Sequence, residues 1–283
     1  REAEVPEDKG IQADVGDAIT AYRKFLEISP KAAQRSEAMR RLGDLSMDEA
    51  DNRLASGTAN AADYKAAISR YQDYLKTYPN DPGNDRVVYQ LARAHEQGGE
   101  LEVALKMLDR LVAEYPKTHY FDEAQFRRGE LLFTTREYAK AEKAFALVMQ
   151  GDSANPYRER SLYMHGWSMF KQGRLEDGLQ SFFGVRDRKL AGTRDAGGQL
   201  DAIPGLTRGD RELVEDTFRV ASLSLQSLQG AESIAPLIIS DERRSYEFRV
   251  YQQLGELYLR QDRIKDAADT FSAVPRWRPS AST

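Results

Sequence analysis

One spacing constrains the fold of this chain more than any other feature. Between residues 67 and 178, small residues recur every 37 positions, and a large apolar residue follows each of them four positions later. The small residues are Ala67, Ala104, Ala141 and Gly178, and the large ones are Tyr71, Leu108, Phe145 and Phe182. A fixed interval of this length is typical of stacked helix–turn–helix units. The spacing therefore predicts a repeat scaffold rather than one globular core.

A second set of small residues explains how each unit would pack. Ala92, Gly129 and Gly166 stand 12 residues before three of the small residues above. Small side chains on two antiparallel helices let the backbones approach, and a large residue one turn later fills the space between them. We therefore expect Gly129 and Gly166, together with Gly255, to lie where the first helix of a pair crosses the second.

The last repeat carries the most complete pattern, Leu254-Gly255-x2-Tyr258, then Ala267-x3-Phe271, then Pro279. This pattern resembles the tetratricopeptide repeat (TPR) family, and the resemblance extends over roughly residues 15 to 279. It implies an all-α, right-handed superhelical solenoid of antiparallel helix pairs, in which the first helix of each pair lines the concave side.

The repeats suggest a division of the chain. We expect a polar lead-in over 1–14, TPR-like repeats over 15–185, a flexible Gly-rich loop over 186–210, and two further repeats over 211–283. The first repeat of the 15–185 segment lacks its first helix, and the first repeat after the loop is divergent. No polar capping helix follows Pro279, so the sequence is expected to be a fragment of a longer solenoid.

The second repeat is longer than the others. Gly43 and Ala67 are 24 residues apart, where other repeats have 12 between the corresponding positions. Its first helix, or the connection after it, should be about three turns longer. The excess contains Asp48, Glu49 and Asp51 and is expected to project into solvent.

Composition disfavours several classes of function. The net charge is −4, acids and bases are interleaved, and there is no basic stripe for a phosphate backbone. There is no cysteine and no apolar run long enough to span a membrane. His95, His119 and His165 include no pair at the i, i+4 spacing of a zinc site. We therefore expect no catalytic residue, no cofactor, no metal, no nucleic-acid partner and no insertion of this chain into a membrane.

The exposed positions of three predicted first helices are unusually aromatic for a solvated face, which should be nearly all polar. Aromatic and arginine side chains dominate the energetics of protein interfaces. The predicted concave binding residues are Arg86, Tyr89, Arg93, Phe126, Arg127, Phe133, Arg160, Tyr163, Trp167 and Phe170. Neighbouring first helices can also bury such aromatics as plain core, an alternative that applies most to Phe126 and Tyr163.

These features favour a non-catalytic scaffold that binds another protein or a peptide segment. The Tyr-Pro repeat endings at 78–79 and 115–116, and Asp122-Glu123-Ala124 before a helix, resemble periplasmic TPR proteins of the Gram-negative envelope. That resemblance implies a role in envelope assembly or energy coupling. A cytosolic adaptor, or a structural arm that bridges subunits through its convex face, is the alternative.

Overall fold

The computed structural model describes residues 14–58, 60–152, 154–190 and 205–274. Within these ranges all regular secondary structure is helical, with twelve α-helices and three short 3-10 segments. The all-α, TPR-like fold class predicted from the sequence is confirmed. The lead-in up to residue 13, the centre of the predicted 186–210 loop and the segment 275–283 lie outside the described residues.

The helices follow one another in a regular order. Their bounds are α1 Val15–Ile28, α2 Arg35–Ala55, α3 Lys65–Thr77, α4 Asn84–Gln97, α5 Leu101–Glu114, α6 Phe121–Thr134, α7 Tyr138–Gln150, α8 Arg158–Lys171, α9 Leu175–Leu190, α10 Arg208–Ser227, α11 Asp241–Arg260 and α12 Ile264–Ser272. The chain divides into two compact units, unit 1 up to Arg128 and unit 2 from Gly129. The boundary falls inside α6.

Helix pairs in both units lock in the same way. We call the small residue in each first helix the slot residue. A Cβ atom built on the slot residue Gly43 in unit 1 would lie 2.6 Å from the ring of Tyr71. In unit 2 the corresponding distance is 2.5 Å from Gly129 to Phe145, and 2.8 Å from Gly166 to Phe182. No real Cβ tolerates such contacts, so the partner ring requires glycine there.

Gly255 has the same role in the last pair, since its Cβ would lie 2.5 Å from the Phe271 ring. The prediction that these glycines mark helix crossings is confirmed. In α10 the slot position holds Leu223 instead.

The predicted extension of the second repeat is real, but its environment differs from the prediction. α2 has 21 residues where α4 has 14, so about two turns are added rather than three. The extra turns do not simply project into solvent. Met47 and Ala50 are buried beside Tyr64 of the 3-10 segment Ala61–Tyr64, and the Tyr64 hydroxyl donates to Asp51 at 3.1 Å.

The predicted 186–210 loop is shorter at both ends. α9 continues to Leu190, and α10 begins at Arg208 after a capping box between Thr207 and Asp210. The early part remains helical because Arg186, which reads as a loop residue, is fully buried. Its guanidinium lies 4.6 Å and 4.2 Å from the ring centroids of Phe183 and Phe218.

The repeat after this segment is divergent, as predicted. In place of a full second helix, α10 is followed by two 3-10 segments, Gly230–Ser233 and Ala235–Leu237, with Pro236 in the first turn of the latter. Proline is accepted there because the first amides of a helix have no internal acceptor.

The shortened repeat lets α9 contact α11 directly. Arg243 of α11 donates from Nε to Asp187 at 3.1 Å, and from Nη1 to Gln180 at 3.1 Å and to the Leu237 carbonyl at 2.8 Å. Tyr246 donates to the other oxygen of Asp187 at 2.5 Å. We call Arg186, Asp187, Arg243 and Tyr246 the polar cluster of unit 2. Sequence analysis missed it.

Candidate partner-binding surface

The predicted binding residues lie on the first helices, at positions that recur in each repeat. Counting from the slot residue, these positions are six and three residues before it, and one and four residues after it. We call this set of positions the first-helix face and describe it in each unit separately. Among the predicted residues, Arg127 alone stands outside the four positions.

In unit 1 the arginines of this face are already paired. Arg86 donates from Nη2 to Asp44 of α2 at 2.9 Å, and Arg93 donates to Asp51 of α2 at 3.3 Å. Each arginine of α4 therefore reaches back to a carboxylate on the preceding first helix. A charged partner would compete with an existing ion pair at both positions.

Arg127 of α6 continues the same arrangement. Its Nη1 atom donates to Glu96 of α4 at 3.2 Å, and its Nε and Nη2 atoms donate to Glu123 at 3.1 Å and 3.0 Å. Burial acts to lower the pKa of Arg127, but the neighbouring Tyr89 hydroxyl and the Glu96 and Glu123 carboxylates outweigh it and raise the pKa. The guanidinium is thus held as a structural cation.

Both predicted aromatics of unit 1 are largely covered. Tyr89 is 5% exposed and Phe126 is 6% exposed. The Tyr89 ring stacks on Tyr120 with centroids 4.4 Å apart and an interplanar angle of 11°. Burial raises the pKa of the Tyr89 hydroxyl. These two side chains pack as core, as the alternative reading describes.

In unit 2 the same positions stay half-buried. Tyr163, Trp167 and Phe170 of α8 form what we call the aromatic patch. The Trp167 and Phe170 rings meet edge to face at 5.3 Å, and Tyr163 meets Trp167 in the same way at 6.3 Å. Lys171 places its ammonium 5.6 Å from the Trp167 ring. Such contacts fix ring orientation while leaving part of each ring in water.

Tyr163 is anchored at its polar end. Its hydroxyl hydrogen-bonds Asp216 of α10. Burial, and to a smaller extent this hydrogen bond, raises the pKa of Tyr163 to about 12.

Two further predicted residues, Phe133 and Arg160, also lie in unit 2. Phe133 is half-buried and meets Tyr138 edge to face at 5.2 Å, and the largely exposed Arg160 pairs with Glu130 of α6 at 3.3 Å.

Sequence analysis missed the carboxylates that pair with the arginines. Asp44, Asp51, Glu96 and Glu130 all lie on the first helix that precedes the arginine they bind. For Asp44 and Glu130, which both follow a slot glycine directly, opposite charges at equivalent repeat positions could have identified the pairing. The prediction considered each helix alone, and the pairing is between helices.

The described residues hold no group of three or more His, Cys, Asp or Glu side chains arranged to bind a metal ion. Both His95 and His165 are buried, and each forms a hydrogen bond through Nδ1, to the Glu100 carboxylate at 2.6 Å and to the Ser181 hydroxyl at 2.8 Å respectively. Within the same ranges, the search for a helix capable of crossing a lipid bilayer finds none.

A further apolar groove of about 370 Å³ lies in unit 1 between α1 and α2. It is lined by Ala21, Tyr22, Phe25, Gln34, Glu37 and Ala38, none of which belongs to the predicted binding residues.

Comparison with known proteins agrees with the helix-pair geometry. Residues 53–125, from the end of α2 into α6, match the tetratricopeptide repeat family. The chain is thus a TPR-like scaffold of the class suited to protein–protein interaction. No curated protein matches it significantly.

Several solved structures are similar at low identity. MamA from Desulfovibrio magneticus RS-1 is 18% identical over 81% of this chain and 91% of its own, with a TM-score of 0.40. A tetratricopeptide repeat protein from Parabacteroides merdae is 14% identical over 82% of this chain and 78% of its own, with a TM-score of 0.45. The apo form of RapI is 13% identical over 92% and 90%, with a TM-score of 0.49.

Proposed function

We propose that the chain is a non-catalytic scaffold that binds a segment of a partner polypeptide on the first-helix face of unit 2. The aromatic patch is the anchor of this site. The observation that carries the proposal is that Tyr163, Trp167 and Phe170 keep part of their surface exposed, at repeat positions where Tyr89 in unit 1 is covered. Polar residues would suffice if these positions only met water.

The patch has the physical properties of an interface anchor. Its rings are held by mutual edge-to-face contacts and by the Tyr163–Asp216 hydrogen bond. A partner that covers them gains apolar contact without first having to order flexible side chains. Phe133 extends the same face of unit 2 with a further aromatic ring, and Arg160 lies beside it in its ion pair with Glu130.

Substitution of the central ring tests the proposal. Trp167→Ala should weaken capture of the partner by about 2 kcal/mol, roughly 30-fold, because a central aromatic anchor is lost. The partner is first identified by crosslinking and mass spectrometry of the full-length protein in its own cells. Affinity is then measured with the purified partner.

Leu147→Ala is the matched control, since Leu147 is 38% exposed on the second helix α7. It should leave affinity unchanged. Unchanged affinity in Trp167→Ala, with helicity and unfolding midpoint preserved, would reject the site. A loss in Leu147→Ala alone would instead favour a structural arm that bridges subunits through its second helices.

We further propose that this scaffold works in the envelope of a Gram-negative bacterium, in assembly or energy coupling. The support is the resemblance of the Tyr-Pro repeat endings to such proteins and the absence of cysteine, which suits an oxidising compartment. Fractionation of cells that express the full-length gene product tests it. Recovery in the cytoplasm would replace this proposal with the cytosolic adaptor.

A further inference from the structure

Two of the four ion pairs between first helices described above occupy the same repeat positions. Arg86 and Arg160 each stand six residues before a slot residue, Ala92 and Gly166 respectively. Each pairs with the carboxylate that comes directly after the slot residue of the preceding first helix. These partners are Asp44, after Gly43, at 2.9 Å, and Glu130, after Gly129, at 3.3 Å.

Arg249 of α11 occupies the same position, six residues before Gly255. The preceding first helix is α10, whose slot residue is Leu223. The residue directly after it is Ser224, which is fully buried and donates its hydroxyl to the Val220 carbonyl at 3.2 Å. At this step the arginine is present and the carboxylate is missing.

The guanidinium of Arg249 is correspondingly unsatisfied. The residue is 6% exposed, and its Nε and Nη1 atoms are buried without a hydrogen-bond partner among the described residues. Burial lowers its pKa, with no neighbouring charge acting to raise it. A buried charged donor left unpaired costs stability, so its retention calls for an acceptor.

Two other buried arginines of unit 2 have hydrogen-bond acceptors, although one nitrogen of Arg186, Nη1, is also without a partner. Arg243 donates to Asp187, Gln180 and the Leu237 carbonyl. Arg186 donates to the Thr217 hydroxyl at 3.2 Å and to the Thr217 carbonyl at 2.6 Å, between two aromatic rings. Arg249 has a distant contact with the Phe248 ring, at 5.6 Å.

We propose that Arg249 is a binding site for a carboxylate, supplied by an Asp or Glu side chain of the partner polypeptide. The inference rests on the proposed function, because it assumes a polypeptide on the first-helix face of unit 2. Carboxylate is the matching ligand because its oxygens accept strong, charge-assisted hydrogen bonds from a guanidinium group. At the equivalent steps Asp44 and Glu130 each supply one such oxygen.

The surroundings suggest the composition of the bound segment. Leu259 of α11 is 45% exposed and stands four residues after the slot residue, the position of Phe170 in α8. A segment that reaches Arg249 along this face therefore also passes an apolar side chain. The expected ligand is an acidic residue with an apolar neighbour.

Selection from a random linear peptide library on the full chain provides the probe. Selected peptides should carry Asp or Glu at one fixed position. Replacing that residue with Asn or Gln in a synthetic peptide should weaken binding to the wild-type protein at least about tenfold. With Arg249→Gln the same replacement should change affinity less than about twofold.

A second variant keeps Arg249 and supplies the carboxylate that it lacks. Ser224→Asp places a carboxylate at the position of Asp44, so the internal pair should form and the peptide's acid preference should vanish as well. Arg244→Gln, at an exposed arginine of the same helix, should preserve the preference. Circular dichroism and unfolding midpoints establish that each variant folds.

The outcomes separate the two proposals. Peptides that bind through Trp167 without any acid preference, or with one that survives Arg249→Gln, would overturn the carboxylate site and leave the scaffold function standing. Failure to select any peptide whose binding depends on Trp167 would count against the proposed function itself. Loss of the acid preference in both Arg249→Gln and Ser224→Asp supports both.

Discussion

The two units share the same repeat geometry but differ in how completely the first-helix face is covered. In unit 1 the face is closed, because Arg86 and Arg93 are tied to α2 and Tyr89 stacks on Tyr120. In unit 2 the aromatic patch stays partly exposed. The comparison teaches that the slot residues set the framework, while the four positions around each slot decide how completely the face is covered.

The units also differ in where they bury polar groups. Unit 1 has a core of tyrosines, alanines and aliphatic side chains around α2 to α4. Unit 2 buries the polar cluster of Arg186, Asp187, Arg243 and Tyr246 between α9, α10 and α11. Such a cluster is costly to disrupt at any one member, because the remaining groups are then buried without partners.

The largest expected effect comes from breaking that cluster. Arg243→Met should lower the free energy of unfolding by about 3 kcal/mol, because the buried guanidinium is lost and the partly buried Asp187 carboxylate is left without the cation that pairs with it. Chemical denaturation measures the change, with Arg244→Met on the exposed side of α11 as the control. A loss below about 1 kcal/mol would mean that the cluster contributes no more than a surface ion pair.

The next prediction concerns the helix crossings at the slot glycines, which have the same geometry in both units. Gly43→Ala in unit 1 and Gly166→Ala in unit 2 should each cost about 2 kcal/mol, because the added methyl group meets the Tyr71 or Phe182 ring. Gly184→Ala is the control, since its Cβ would lie 3.4 Å from a flexible leucine side chain. Unequal losses at Gly43 and Gly166 would show that the units do not share one locking geometry.

A smaller effect is expected from the ion pairs between first helices. Arg86→Gln in unit 1 and Arg160→Gln in unit 2 should each change the free energy of unfolding by about 0.5 kcal/mol or less, because these pairs are partly solvated. Denaturation at low and high salt should bring the values closer to zero as salt rises. A loss above about 2 kcal/mol for Arg86 would make these pairs principal stabilising contacts of unit 1.

The pH dependence of unit 2 gives the smallest effect. Burial lowers the pKa of His165, with Glu142 acting weakly in the opposite sense. The unfolded chain therefore takes up this proton first, so stability is complete above about pH 6.5 and declines as the pH falls below it. Melting curves between pH 7.5 and 5.5 measure this decline. His165→Gln should remove part of it, and the exposed-residue control His119→Gln should not.

Much of the fold followed from residue spacing. Two residues of each repeat specify which helix surfaces meet. They are the slot residue of the first helix and the large residue that follows the small residue of the second helix by four positions. The pairing of α8 with α9 and of α11 with α12 was therefore predictable. The ends of the loop were not, because Arg186 has the composition of a loop residue and is helical only through its contacts with Phe183, Thr217 and Phe218. Thr217 and Phe218 belong to α10, so part of this environment comes from another helix.

The candidate site was predictable as a set of positions but not as a surface. Spacing placed Tyr89 and Tyr163 at equivalent repeat positions, and no local pattern distinguishes them. Their difference arises from neighbours, since Tyr120 covers Tyr89 while Tyr163 reaches Asp216 through its hydroxyl and keeps part of its ring in water. Burial depends on the adjoining repeat, which single-helix periodicity does not contain.

The missing second helix of the divergent repeat has a consequence for how unit 2 unfolds. In a regular array each element contacts only its neighbours, so repeats can be lost one at a time from an end. Here Arg243 and Tyr246 of α11 donate hydrogen bonds to Asp187 of α9, where two 3-10 segments replace a full second helix. The segments on either side of the irregular repeat should therefore melt as a single cooperative block, and fraying that begins at α12 should stop at α11.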